Sequence, residues 1–327
     1  MQSLNVLLIG CGNIAGGFDA ARPPEAAPLT HVGAYREHSG FTLAACVEPD
    51  ALRREAFMAR WNIARGHADL GGLAADTGTF DVVSICSPTD LHDAHLEAVR
   101  QLRPRLVFCE KPVTPSLART RHWVHRLSSD GILLAVNHNR RWAPDVVRLR
   151  EELRQGAWGT VRSITGHYNK GVLNNGSHLV DLIQFLQGPL ECMSVGTPVH
   201  DAWDNDPSIP ALLRCGSVPV QLCAGDASDY ALFELDIVAS GGVVSMRDGG
   251  ARWSVRRAID NPHFSGYRGL SEPVHLAGKY DESMRHAVAN IHVALRNGEP
   301  LASTGATALA AQQVCSDIRA AAQSPRP

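Results

Sequence analysis

Lysine is nearly missing from this 327-residue chain: only Lys111, Lys170 and Lys279 occur among 31 basic residues, the others being arginine. A chain that takes Arg wherever either cation serves makes each retained Lys informative. An excess of positive charge is missing too, since the formal net charge is -2, and this offers no basic field for nucleic acid. No stretch approaches the roughly 18 unbroken apolar residues of a membrane span. The start, MQSLNVLLIGCGN, has neither a positive region before its apolar run nor a small-residue cleavage pattern after it, so a first strand and a cytoplasmic protein are expected. No C-x-x-C spacing links the eight cysteines; free thiols in a reducing compartment fit better than disulfides or zinc. The histidine pairs at helical spacing, His92 with His95 and His122 with His125, lack a suitable third ligand nearby, and no metal is expected. Long polar tracts and repeats are absent as well. With 44% hydrophobic residues, the chain is expected to fold throughout, as two domains.

What is present in the first half is alternation. Apolar runs of strand length stand at 5–9, 42–47, 81–86, 105–109 and 132–137, and helix-period segments lie between them at 31–38, 51–61, 91–102 and 116–127, with a further short helix at 68–76. Strands apolar on both faces, each followed by a helix, predict a doubly wound parallel sheet ending near residue 137. Directly after the first strand comes GCGNIAGG, 10–17. In that setting Gly10 permits a tight turn, Gly12 lets backbone approach a pyrophosphate, and Ala15 or Gly16 permits close helix packing, so Gly10, Gly12, Asn13 and Ile14 are candidate coenzyme contacts. The following GGFDAARPPEAAPLTH is long and proline-bearing for a first helical turn; an inserted loop over 17–30 is expected, placed where it can overhang the site. Glu48, at the end of the second strand, suits the ribose hydroxyls and repels a 2′-phosphate, which favours NAD(H); its other reading is an acid closing a strand at the surface.

The later strand ends read CSPTDLHDAH (86–95) and FCEKPV (108–113). With these the chain resembles the family of glucose–fructose oxidoreductase, inositol dehydrogenase and rhizopine-catabolism proteins, whose Rossmann domain ends strands in S/T-P-x-x-x-H and E-K-P. Ser87, Pro88, His92, Glu110, Lys111 and Pro112 match, and the resemblance continues through 137–161 over nearly the whole chain. It implies a Rossmann domain over 1–137 that binds NAD(H) with help from Ser87, Pro88, His92, Glu110 and Lys111. It also implies a second domain over 138–327, an α+β unit with a large, mostly antiparallel sheet serving as substrate and oligomer platform. The β-rich pattern after Asn137 agrees, with helices expected at 282–297 and 304–322; the last helix is expected to reach back to the first domain.

Residues 173–178, LNNGSH, are expected to open an apolar helix on which Leu179, Leu182, Ile183 and Leu186 share one stripe and Asn174 and His178 stand one turn apart on another face. The family carries D-x-x-x-H here. His178 matches, while Asn174 replaces the carboxylate. Imidazole suits exchange of the proton that accompanies hydride transfer; Asn174 orients by hydrogen bonds but holds no proton. Lys111 stabilises negative charge at the reacting oxygen, and Arg141, Lys170 and Asn175 join Lys111, Asn174 and His178 as candidate substrate contacts. The expected activity is an NAD-dependent dehydrogenase of a sugar, nucleotide-sugar or cyclitol, assembled as a homodimer or homotetramer. Two alternatives stand within the family, a non-catalytic sensor of nucleotide and sugar and an NAD-dependent glycosidase.

Overall fold

The computed structural model describes residues 2–23, 25–75 and 79–323, so Asp76, the last residue of the short helix expected at 68–76, lies outside the described residues. The chain divides into two compact units. The first runs to Trp142 and takes in Asp281–Leu309; the second comprises Ala143–Tyr280 and the chain from Ala310 onward.

Among the described residues the first unit holds a six-stranded parallel sheet built from β1 (Leu4–Ile9), β2 (Phe41–Val47), β3 (Gly66–His67), β4 (Val82–Ile85), β5 (Leu106–Cys109) and β6 (Leu133–Val136). Their order is β3-β2-β1-β4-β5-β6, the doubly wound arrangement. Alternation along β1 makes the two-sided core: Leu4, Val6 and Leu8 enter one cluster, Leu7 and Ile9 the other. The connecting helices are α1 (His31–Glu37), α2 (Ala51–Trp61), α3 (His92–Gln101) and α4 (Leu117–Ser129). Capping side chains start three of them, since Thr30, Asp50 and Ser116 each accept a backbone N–H of the first turn.

The boundary expected after Asn137 therefore falls after Trp142, and the helix Ser283–Asn297 belongs to the first unit. Its stripe Met284, Ala287, Val288, Ile291 and Leu295 completes the first core, a long-range pairing that amphipathic spacing alone does not specify. In the helix Gly305–Gln323 only the residues up to Leu309 group with the first unit.

The second unit carries α5 (Pro144–Arg154), β7 (Val161–Tyr168), a π-helical turn (Gly171–Gly176), α6 (Ser177–Gln187), β8 (Glu191–Val195), β9 (Ala211–Cys215), β10 (Val218–Ala224), β11 (Phe233–Ala239), β12 (Gly242–Arg247), β13 (Arg252–Asp260), β14 (Arg268–Leu270) and β15 (Val274–Ala277). Its nine-stranded sheet runs β14-β13-β12-β11-β7-β10-β9-β8, with β15 on β13. All these pairings are antiparallel except β7 with β10. One face packs on α5, α6 and the end of the last helix around Ile164, Leu182, Leu235 and Val314. The opposite face leaves apolar side chains such as Leu212 and Val238 exposed.

Candidate active site

In the first unit the expected coenzyme residues gather at the carboxyl ends of four neighbouring strands, because Gly10, Glu48, Ser87 and Glu110 follow β1, β2, β4 and β5. That rim is where open parallel sheets bind ligands. Gly10 has φ of 88°, and a Cβ there would stand 2.8 Å from the Ser87 nitrogen, so the turn admits no side chain. Around a Cβ on Gly12 nothing lies within 4 Å. This open approach is what a pyrophosphate against the backbone needs. Gly16 supplies the close packing, its Cβ position being crowded by Trp61, Val32 and Phe57. Asn13 is exposed and Ile14 half-buried at the same turn.

Glu48 is only 4% exposed. Its Oε2 accepts the Cys11 N–H at 3.0 Å, and its Oε1 accepts from Asp50 N at 3.2 Å and Arg53 Nη1 at 3.3 Å. The carboxylate therefore grips the glycine turn from the neighbouring strand. The inserted loop is tied at its ends by Asp19, whose buried carboxylate accepts from Leu29 N, Thr30 N and the Thr30 hydroxyl.

His92 plays a different part from the coenzyme contact expected of it. It is fully buried, with Nε2 3.0 Å from the Ser87 carbonyl and Nδ1 3.0 and 3.2 Å from those of Pro112 and Val113. A ring enclosed by three carbonyls holds the Ser87–Pro88 turn against the E-K-P loop and presents nothing to a ligand. Ser87 itself is half-buried and shares a 2.8 Å hydrogen bond with His95. Arg141, expected as a substrate contact, is buried and donates to the Ala302 carbonyl at 3.3 Å.

Glu110 is the electrostatic centre. Its Oε1 stands 2.9 Å from His31 Nε2 and accepts from Asn137 Nδ2 at 2.6 Å. Burial pushes this carboxyl up, but the His31 hydrogen bond and charge, the Asn137 amide and the Lys111 ammonium outweigh it and hold the group below the usual carboxylate range. Lys111 follows, half-buried, with a cis bond to Pro112. Sequence reasoning passed over His31 and Asn137. The available signal for His31 was a titratable side chain opening HVGAY, a stretch that is buried throughout.

In the second unit Lys170, Asn174, Asn175 and His178 come together around the π-helical turn. Two carboxylates build it: Asp201 accepts the Lys170 N–H at 2.6 Å, and Asp206 accepts those of Leu173 and Asn174 at 2.9 Å each. Lys170 is left-handed, with φ of 62°, and Gly171 cannot be replaced because a Cβ would fall on the Asp206 carboxylate. Asn174 Nδ2 donates to the Lys170 carbonyl at 3.1 Å, and Asn175 Nδ2 to that of Leu232 at 3.3 Å. His178 is half-buried on the first turn of α6. The stripe Leu179, Leu182, Ile183 and Leu186 is buried as the spacing predicts. The start of the helix differs, since the expected α turn through Asn174 is π, a form that recurs at functional sites.

Residues 4–138 match the model of the oxidoreductase family with an NAD-binding Rossmann fold. Over these residues the chain is similar to the glucose–fructose oxidoreductase, inositol dehydrogenase and rhizopine-catabolism proteins. It is 26% identical over 207 residues to D-apiose dehydrogenase of Paraburkholderia graminis, covering 58% of this chain and 51% of that one. With inositol 2-dehydrogenase of Rhizobium meliloti it shares 33% identity over 85 residues, 26% of either chain. The aligned parts thus span about half or less of these relatives. Among solved structures, the WlbA dehydrogenase from Bordetella pertussis in complex with NADH and UDP-GlcNAcA superposes with a TM-score of 0.79 at 17% identity, over 98% of this chain and 96% of that one.

Proposed function

We propose that this protein is an NAD(H)-dependent dehydrogenase that moves hydride between a nicotinamide and a secondary alcohol or ketone of a sugar, nucleotide-linked sugar or cyclitol. The observation that carries the reading is the strand-end rim of the first unit: an open glycine turn at Gly12, gripped by Glu48, with the ionised Glu110 and Lys111 at the end of β5. The coenzyme, when bound, supplies the hydride chemistry. The backbone at Gly10–Gly12 fits its pyrophosphate, and Glu48 fits a ribose diol. Arg53 stands beside Glu48, but its charge is matched by Glu48 at 3.3 Å and Asp50 at 3.8 Å, which supports NAD(H) over NADP(H). Lys111 stabilises charge on the reacting oxygen and His178 exchanges its proton. Lys170, Asn174 and Asn175 orient the substrate hydroxyls. The names of the relatives, acting on apiose and inositol, and the UDP-sugar complex of the structural neighbour support the substrate class. The exposed apolar side chains on the second unit's sheet support a homo-oligomer, for which light scattering at micromolar concentration is the check; a monomer refutes it.

The test is transfer of deuterium from 4-deuterated NADH to a panel of keto-sugars, nucleotide keto-sugars and inosose, read by mass spectrometry of the alcohol. Label in one product class establishes the reaction. Tight NADH binding with no transfer to any of them, in either direction, would return the protein to the non-catalytic alternative.

A further inference from the structure

Two side chains converge on one oxygen of Glu110, and only one of them can titrate. His31 is 0% exposed, its ring lies 4.4 Å from that of Phe108 on β5, and it reaches across from the first turn of α1. A ring nitrogen 2.9 Å from a carboxylate oxygen carries the proton, so Nε2 is the donor. The other ring nitrogen, Nδ1, is buried with no hydrogen-bond partner, as is Oδ1 of Asn137. His31 therefore enters this interior for the one bond to Glu110. An apolar residue would fill the space against Phe108 without leaving a polar atom unmatched.

We propose that His31 is a positioning residue: by donating from Nε2 to Glu110 it keeps that carboxylate charged and fixed, and through it fixes the ammonium of Lys111 at the end of β5. The proposal rests on the reading of Lys111 given above. The other groups facing Glu110 do not substitute for His31. Asn137 already donates its own N–H to the same oxygen from the end of β6, so it does not supply the bond that His31 makes. Cys86 after β4 and Cys109 on β5 are pushed well up by burial and by the Glu110 charge itself, so both stay as thiols. Lys111 supplies a further, positive charge beside this carboxylate. Without the His31 donor, burial is opposed by fewer partners, and the carboxyl takes up a proton at higher pH.

The scarcity of lysine provides the readout. Reductive 13C-dimethylation of the purified protein labels only three lysine side chains and the amino terminus, and the Lys111 signal is the one lost in Lys111→Arg. It reports the charge state of its neighbour Glu110. Two variants free of histidine titration are compared: His31→Gln keeps an N–H donor, and His31→Phe keeps a ring against Phe108 but no donor. In His31→Gln the Lys111 signal is expected to stay flat above pH 5, with turnover within about threefold of wild type. In His31→Phe it is expected to show a titration step at higher pH than in His31→Gln, with turnover at pH 7 lower by tenfold or more and NADH affinity within threefold. A flat Lys111 signal in both variants, or equal losses of turnover in both, overturns the proposal. If Lys111→Ala keeps full turnover, the catalytic reading of Lys111 fails instead, and the two results are separable because the titration step does not depend on turnover.

Discussion

The strand-end rim of the first unit and the π-helical turn of the second hold candidate catalytic groups in contrasting ways. Around Glu110 and Lys111 the partners are side chains, with His31 and Asn137 meeting one carboxylate oxygen. Around Asn174 and His178 the carboxylates of Asp201 and Asp206 bind backbone N–H groups, so they set the path of the chain. The first arrangement fixes charge. The second fixes shape, and the functional side chains there follow from the backbone they sit on. Substitutions in the rim should therefore change pH behaviour, whereas substitutions in the carboxylate cap should change stability and substrate affinity.

The largest expected effect falls on proton exchange: His178→Ala should lower turnover by about 10² to 10⁴ fold while NADH binding, followed by fluorescence titration, stays within a few fold. Unchanged turnover on the true substrate removes His178 from the site. Lys111→Ala should cost about 10² to 10³ fold in kcat, the scale of one lost stabiliser of developing negative charge. Wild-type kcat in this variant would leave the rim with a binding role only.

Asp206→Ala sharpens the comparison from the other side. It strips two backbone N–H groups of their acceptor, and a loss of about 1 to 3 kcal/mol in urea unfolding is expected, with KM raised more than kcat is lowered. A shifted pH profile with unchanged stability would mean that the cap acts on charge after all. The rim's own signature is acid sensitivity. Because Glu110 is held below the usual carboxylate range in the folded state, its contribution is present above the unfolded pKa of about 4.3 and is lost as pH falls through the folded value. Glu110→Gln should therefore lose less stability between pH 5 and 3 than wild type does. Parallel curves would refute this. The smallest effect is expected at Glu48: Glu48→Ser should narrow the NADH preference over NADPH by a few fold, and wild-type protein that binds NADPH more tightly would reverse the coenzyme assignment.

Much of this molecule was legible in sequence where burial imposes a period. The five apolar runs of the first half fall on β1, β2, β4, β5 and β6 to within a residue or so, because strands covered on both faces must be apolar throughout. The two-residue β3 and the short β14 and β15 escaped notice. The last two are exposed along most of their length, so no buried side carries an alternation. Among site residues, Gly10, Gly12 and Glu48 were named from local pattern and Glu110 and Lys111 by resemblance to the family, and all follow the carboxyl ends of neighbouring strands. His92 was named by resemblance to the family motif, yet it is enclosed by three carbonyls, since a motif places a side chain near a strand end without saying which carbonyls surround it.

The sequence by itself determined the parallel sheet, the glycine turn, the apolar stripe of α6 and the identity of the chemically able side chains, all of which follow from short-range spacing and the demand that apolar surface be buried. Only the tertiary structure decided that His31 meets Glu110 from 79 positions away, that Asp206 shapes the turn bearing Asn174, and that the helix Ser283–Asn297 completes the first core. Those contacts join segments whose separation along the chain leaves no trace in local periodicity; they are selected by which packing satisfies buried carboxylates and N–H groups together.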